Sequence, residues 1–296
     1  MDKLKAMQTV VAIADAGTLT AASEKLEASL PAVVRTLAML EQHLGVRLFN
    51  RTTRRVSLTD EGRLYVEDCR RVLAAIADSE SALTQDAVEP SGHLTVTASV
   101  LFGQMYVAPA VTRFVQQYPK MDVSLQLHDR VVNLLEENID VGVRIGELED
   151  QSLVAQPLGR VRRMVVATPA YLKTHGTPQH PRDLLKHNCI RATGNSIPGW
   201  SFQDSGKPFS IAVSGNLEFN QVWPAAQACL ENMGCGMFIS YQVAEFVRDG
   251  RLKVVLEAFE APPRPISLVY PHARLLPART RAFIDWMKRE IRFDAA

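Results

Sequence analysis

A chain of 296 residues is too long for one ordinary core and calls for two or three folding units. With 47% hydrophobic residues, 22% charged residues and a net charge of +1, it reads as an ordinary soluble chain, and affinity for a polyanion must come from a local patch. Cys69, Cys189, Cys229 and Cys235 show neither CxxC nor zinc-finger spacing and read as reduced, buried thiols of a cytoplasmic protein. Met1-Asp2-Lys3-Leu4-Lys5 opens no signal peptide, and no run is apolar enough to span a membrane.

Leu4, Met7, Val11 and Ala14 recur at helical spacing and predict a first helix buried along that stripe, ended by Gly17 in a left-handed cap. Thr18 and Thr20 can cap a short second helix over Ala21–Leu26. Ser29 caps a third, with Pro31 in its first turn, Val33, Leu37, Leu40 and Leu44 on its buried face, and Gly45 as its stop. Two helices joined by a tight turn, the second opening Ser-x-Pro, have the form of a helix-turn-helix. Val46–Phe49 and Arg55–Leu58 read as short strands flanking a basic wing. Arg35, Arg47, Arg51, Arg54, Arg55 and Arg63 face only Glu41, Asp60 and Glu61 over this stretch, the electrostatic footprint that phosphate binding requires.

Thr59-Asp60-Glu61 opens a long helix with acids in its first turn. Tyr65, Cys69, Val72, Ile76, Ser79 and Leu83 form a heptad seam on it, expected to pair with a second copy because no apolar element adjacent in sequence covers that face. Glu89-Pro90-Ser91-Gly92 is a hinge. Strands over Leu94–Ala98, Val123–Leu127 and Ile139–Val143 then alternate with a helix carrying Val107 to Val115 and a short helix over Val132–Glu137. That order predicts an open, mostly parallel sheet, which binds ligands beyond the carboxyl ends of its strands. Strands near Met164–Ala167 and Lys253–Leu256, with helices near Gln221–Glu231 and Gln242–Arg248, repeat the theme. Ile266–Tyr270 and a helix over Ala278–Ile291 return to the first lobe, so two lobes with a double crossover and a cleft are expected.

Leu40-Glu41-x-x-Leu44-Gly45, Phe49-Asn50-Arg51-Thr52 and Val56-Ser57-Leu58-Thr59-Asp60-Glu61-Gly62 closely resemble the N-terminal signature of LysR-type transcriptional regulators, as does Gly17-Thr18-x-x-Ala21-Ala22-x-x-Leu26. Ile139–Gly146, Asp150-x-Ser152-Leu153-Val154, Pro265–Tyr270 and Arg281–Asp285 are similar to the family's effector domain. The resemblance implies an α/β chain overall: a mainly α winged helix-turn-helix over 1–58, a linker and dimerisation helix over 59–89, and a two-lobed, periplasmic-binding-protein-like effector domain over 90–296. Lobe I takes about 91–161 and 267–296, lobe II about 162–266. Residue by residue it implies DNA contact at Thr20, Ser29, Leu30, Pro31, Val34, Arg35, Arg51, Arg54 and Arg55. Similar proteins usually carry Gln at Leu30 and Ser at Val34, and an apolar pair there can touch thymine methyl groups instead.

For the effector it implies Ser99, at a helix start where N–H groups favour a carboxylate, with Leu101, Phe102, His128, Arg144 and Gly146 on one lobe and Thr193 and Phe202 on the other. Partners would be double-stranded operator DNA, a small anionic effector, a second copy in a homodimer or homotetramer, and RNA polymerase, with no membrane and no cofactor. A solute-binding protein of a transporter explains the two lobes but not the basic helical head. No GxSxG, P-loop or HExxH supports an enzyme, and Gly234-Cys235-Gly236 lacks the third glycine of a dinucleotide site. His175, His180 and His187 have no metal spacing and read as surface residues.

Overall fold

The computed structural model describes residues 1–51, 56–81, 89–148, 150, 152–192, 199–272, 276–291 and 293 (backbone only at 51 and 77–81). The chain forms two compact units, Met1–Val88 and Glu89–Ala296. In the first, α1 (Lys3–Ala16), α2 (Leu19–Lys25) and α3 (Leu30–Leu44) precede a two-stranded ribbon, β1 (Phe49–Arg51) with β2 (Val56–Leu58), and the long α4 (Asp60–Ser81). Gly17 and Gly45 end α1 and α3 at φ 68° and 72°, the left-handed region where a side chain is strained. The Ala21 N–H donates to Thr18 Oγ1 at 3.2 Å, so Thr18 caps α2.

The buried face of α1 differs from the expected stripe. Ala6, Thr9, Val10, Ala12 and Ile13 are buried, whereas Leu4 is 39% exposed. Small Ala6 and Ala12 let neighbouring elements approach, and Val10 and Ile13 on the same side fill the core. On α3, Val33, Leu37 and Leu40 join this core with Leu48, Phe49 and Val66, and Leu44 stays partly exposed. The seam read on α4 also needs correction. Cys69 is 1% exposed and Tyr65 is half-buried, because α1 packs on the first half of α4 and Arg70 pairs with Asp15 at 2.5 Å. A helix distant in sequence thus covers what looked unpartnered. Val72 remains 42% exposed and Ile76 half-exposed, while Leu83 lies outside the described residues.

In the second unit the strands run β3 (Gly92–Ala98), β4 (Met121–Leu127), β5 (Val141–Ile145), β6 (Leu153–Val161), β7 (Arg163–Ala167), β8 (Cys189–Ala192), β9 (Trp200–Asp204), β10 (Lys207–Ile211), β11 (Glu218–Phe219), β12 (Cys235–Ile239), β13 (Lys253–Val255) and β14 (Arg264–Pro271). Lobe I is the sheet β4-β3-β5-β14-β6 and lobe II the sheet β11-β8-β12-β7-β13, with β9 and β10 as a separate hairpin. Each sheet is mostly parallel, as expected, with one strand of the five running against the others. In lobe I, β4, β3, β5 and β6 run one way and β14, between β5 and β6, runs the other; in lobe II, β11, β8, β12 and β13 run one way and β7, between β12 and β13, runs the other. The opposed strand, β14 in lobe I and β7 in lobe II, is the first strand after each crossing between lobes. No helix forms over 132–137, where Asn133 Oδ1 accepts the Leu135 N–H at 3.1 Å and stabilises a turn instead.

Lobe I buries Val96, Phe102, Phe114, Leu268 and Phe283, and lobe II packs both faces of its sheet, with Val165 and Trp200 on one and Val166 and Phe238 on the other. β3 and β4 are in register from Gly92 opposite Met121 to Ala98 opposite Leu127. Ser99, His128 and Gly146, which follow the ends of β3, β4 and β5, are thereby set along one edge.

Candidate functional site

The first unit presents one continuous face of α3. Ser29, Pro31 and Arg35 are exposed, Leu30 is 41% exposed, and Val34 is half-buried beside them. The Ser29 hydroxyl caps no N–H of its own helix. The exposed Arg35 donates from Nε to the Pro31 carbonyl at 3.3 Å. Thr20 is exposed on α2. Arg51 ends β1; Arg54 and Arg55 lie outside the described residues.

Two residues that position this surface escaped the sequence reading, although both stand in the quoted motifs. Glu41 Oε1 accepts the Leu48 and Phe49 N–H groups at 2.9 and 3.3 Å, fixing where the chain leaves α3 for the wing. Gly62 lies against Leu48 so closely that a Cβ would meet its carbonyl oxygen at 1.9 Å. Thr59 ties both ends, donating from Oγ1 to the Arg47 carbonyl at 2.8 Å and accepting the Gly62 N–H at 2.9 Å. Their spacing in Leu-Glu-x-x-Leu-Gly and Thr-Asp-Glu-Gly was the available signal.

In the second unit, the edge positions come together as read, but their chemistry differs. Ser99 starts the helix, yet its Oγ is closed off without a well-formed hydrogen bond, beside the phenol of Tyr241. The Val100 N–H, the donor an external carboxylate would use, is already taken by Asp129 Oδ1 at 3.0 Å. An anion read onto Ser99 and this N–H therefore meets an internal carboxylate in its place. Phe102 is fully buried against Tyr106, Tyr241 and Phe293, and Leu101 packs on the same core. Phe202 is 2% exposed in the core of lobe II beside Phe209, so neither phenylalanine forms an open apolar wall. The His128 N–H donates to the Ala98 carbonyl at 2.9 Å and prolongs the ladder. Arg144 donates to the Val132 carbonyl at 3.0 Å; burial holds its pKa down, with Glu137 opposing and Arg130 adding. Thr193 lies outside the described residues.

Tyr241 comes from lobe II, one residue into the helix Ser240–Arg248, and inserts its ring among lobe I aromatics, edge-on to Phe102 at 5.2 Å. Burial pushes its pKa up to about 12. At the crossing between lobes, Arg162 is clamped by Glu260 at 2.8 Å and Glu257 at 2.5 Å. Its neighbour Arg163 has no acid and no hydrogen-bond acceptor among the described residues.

The cysteines are buried thiols; burial raises Cys189 and Cys235 to about 12, so they are not poised as thiolates. His175 is exposed and stacks on Tyr171, whereas His180 and His187 are half-buried, His180 accepting the Arg182 N–H at 3.2 Å. Among the described residues no group of His, Cys, Asp and Glu is arranged to hold a metal, and no helix is long and apolar enough to cross a membrane.

Residues 4–63 match the family of bacterial regulatory helix-turn-helix proteins of the lysR type, and residues 87–292 match the LysR substrate binding domain. The chain is 33% identical over 290 residues to an HTH-type transcriptional repressor of Pseudomonas aeruginosa, covering 97% of this chain and 92% of the relative. It is 32% identical over 284 residues to the transcriptional regulator CrgA of Neisseria meningitidis, covering 95% and 94%. The solved structure of CrgA, a LysR-type regulator, superposes with a TM-score of 0.62 at 30% identity over 97% of this chain and 98% of that one. Full-length AphB, a virulence activator of Vibrio cholerae, gives 0.61 at 27% identity over 96% and 98%. These relatives are regulators and not enzymes, and the chain belongs to the LysR-type transcriptional regulators, with a DNA-binding helix-turn-helix head and a two-lobed regulatory domain.

Proposed function

We propose that this regulator grips operator DNA as a homodimer or homotetramer in the cytoplasm and responds to a small effector, anionic and most simply a carboxylate, held at the facing strand ends of its two lobes. The observation that carries the DNA reading is the exposed row Ser29, Leu30, Pro31, Val34 and Arg35, in which a hydroxyl and a guanidinium flank an apolar pair. Arginines and hydroxyls anchor on phosphates, and side chains at the start of a recognition helix reach base edges. Leu30 and Val34 in this row read thymine methyls, and Arg35 with Arg51, Arg54 and Arg55 neutralises phosphate. An operator brought to a recognition helix by each of two copies supplies the two-fold site that RNA polymerase then meets altered.

The test is a selection of operators from random DNA, repeated on Leu30→Gln and Arg35→Ala. Leu30→Gln should change the preferred bases. Arg35→Ala should weaken binding to all sequences alike and lower the salt slope by about one unit. Unchanged consensus sites with Leu30→Gln, together with an unchanged salt slope for Arg35→Ala, would remove this face from the interface.

A further inference from the structure

We propose that the effector cleft carries an oxyanion-binding site made by Arg163 of lobe II and Arg264 of lobe I, apart from the helix start that Asp129 fills. The inference rests on the reading that this cleft takes an effector, and it names the effector's chemistry: a carboxylate or phosphate group held between two guanidiniums.

Strand register places both residues. Arg163 opens β7 opposite Ile239, the last residue of β12, whose parallel neighbour β8 points the same way; Arg163 thus stands on the carboxyl edge of the lobe II sheet. Arg264 opens β14, which runs antiparallel to β5 with Ile266 opposite Ile145, and so stands on the carboxyl edge of the lobe I sheet. Arg264 also pairs with Val161, two residues before Arg163, which keeps the two arginines together where the chain crosses between lobes. Ligands of such sheets bind beyond those carboxyl edges.

Charge balance is the second observation. The two acids of the return crossing, Glu257 and Glu260, are both spent on Arg162. Arg163 is half-buried and Arg264 exposed, and neither guanidinium has an ion pair or hydrogen bond among the described residues. The next acid along, Glu147, is exposed and forms no described ion pair. Burial, then the positive charge of Arg264, lower the pKa of Arg163, in keeping with the register that sets Arg264 opposite Val161. A half-buried guanidinium beside a second cation and without an acid is unfavourable unless something negative joins them.

The third observation is the cradle. The Arg264 guanidinium lies on the bare backbone of Gly146, where a Cβ would meet Nη2 at 2.7 Å, and Gly146 itself sits at φ 117° with its N–H donating to the Pro265 carbonyl at 2.8 Å. The positive φ favours glycine there, and the bare backbone leaves room for the guanidinium at the end of β5. Two guanidinium forks match the oxygens of a carboxylate or phosphate.

Thermal unfolding of the full chain at constant ionic strength, with inorganic phosphate, succinate or acetate as probe, tests the site. Wild type should show a saturable rise of about 2–4 °C with phosphate or with the carboxylates, and which probe works identifies the oxyanion. Exclusion of these salts from the protein surface adds a non-saturating rise common to every variant. Arg163→Met should abolish the saturable rise and, without probe, leave the protein as stable as wild type or more so, since it removes an unpaired cation. Arg264→Gln, at an exposed position, should abolish the rise without disturbing the fold, and Arg163→Lys should weaken it. A saturable rise that survives both Arg163→Met and Arg264→Gln, or its absence from wild type with all three probes, overturns the oxyanion site. A neutral compound that stabilises wild type and Arg163→Met alike would do so too, while leaving the effector cleft standing.

Discussion

A Cβ on Gly62 would lie 1.9 Å from the Leu48 carbonyl oxygen, which binds the first turn of α4 to the strand that leads into the wing. Gly62→Ala must push these two backbones apart. The head should lose about 3 kcal/mol of stability, as an overpacked site with a shifted backbone does. Urea unfolding of the variant followed by a probe in the first unit measures it, and a head as stable as wild type would mean that the approach relaxes freely.

Glu41 offers a gentler probe of the same junction. Glu41→Ala leaves the Leu48 and Phe49 N–H groups without their shared acceptor and should cost about 1–3 kcal/mol, with operator binding falling more than bulk helicity. Circular dichroism and an electrophoretic shift on one preparation separate the two effects. Equal loss of both would assign Glu41 to the core of the head alone.

The second half of α4 should carry the dimer. Val72 is 42% exposed and Ile76 half-exposed, whereas Tyr65 and Cys69 are covered within the chain. Ile76→Asp places a charge in that stretch and should shift the sedimentation mass to monomer, and operator affinity should fall with it. Cys69→Asp should instead unfold the head. Unchanged mass for Ile76→Asp would move assembly elsewhere.

Asp129 at the Val100 N–H should stabilise lobe I. Asp129→Ala should cost about 1–3 kcal/mol for the donor left without its partner. It should also open that N–H to external anions, giving the variant an oxyanion-dependent rise that persists when Arg163→Met is added. No loss of stability in Asp129→Ala would mean that water replaces the carboxylate without penalty.

Tyr241 sets an alkaline limit. Burial pushes its pKa up to about 12, against roughly 10 for an exposed phenol. A raised pKa favours the neutral form in the folded state, so the contribution is full below roughly pH 10 and is lost as pH rises towards the folded value. Tyr241→Phe cannot ionise, and its second unit should lose less stability than wild type across that window. Parallel curves for the two proteins would show that the phenol ionises without opening the lobe.

The family and most of the helices are written in local pattern. Helical period, Gly17 and Gly45 as left-handed stops, Thr18 as a cap and the crowding of arginines near α3 all act within a few residues of one another, and short-range signals survive in one dimension. Strand ends were legible for the same reason, and with them the edge that gathers Ser99, His128 and Gly146. Which residues meet across long separations has no such local signal. The face α1 turns inward depends on how closely α3 and α4 can approach Ala6 and Ala12. Whether Cys69 faces a partner or its own chain depends on where α1 comes to rest. Asp129 reaches Val100 from 29 residues away, and Glu260 reaches Arg162 from 98. No local pattern records that the second of two adjacent arginines is left without an acid, because pairing is a matter of distance in space, and that distance exists only once both crossings lie side by side.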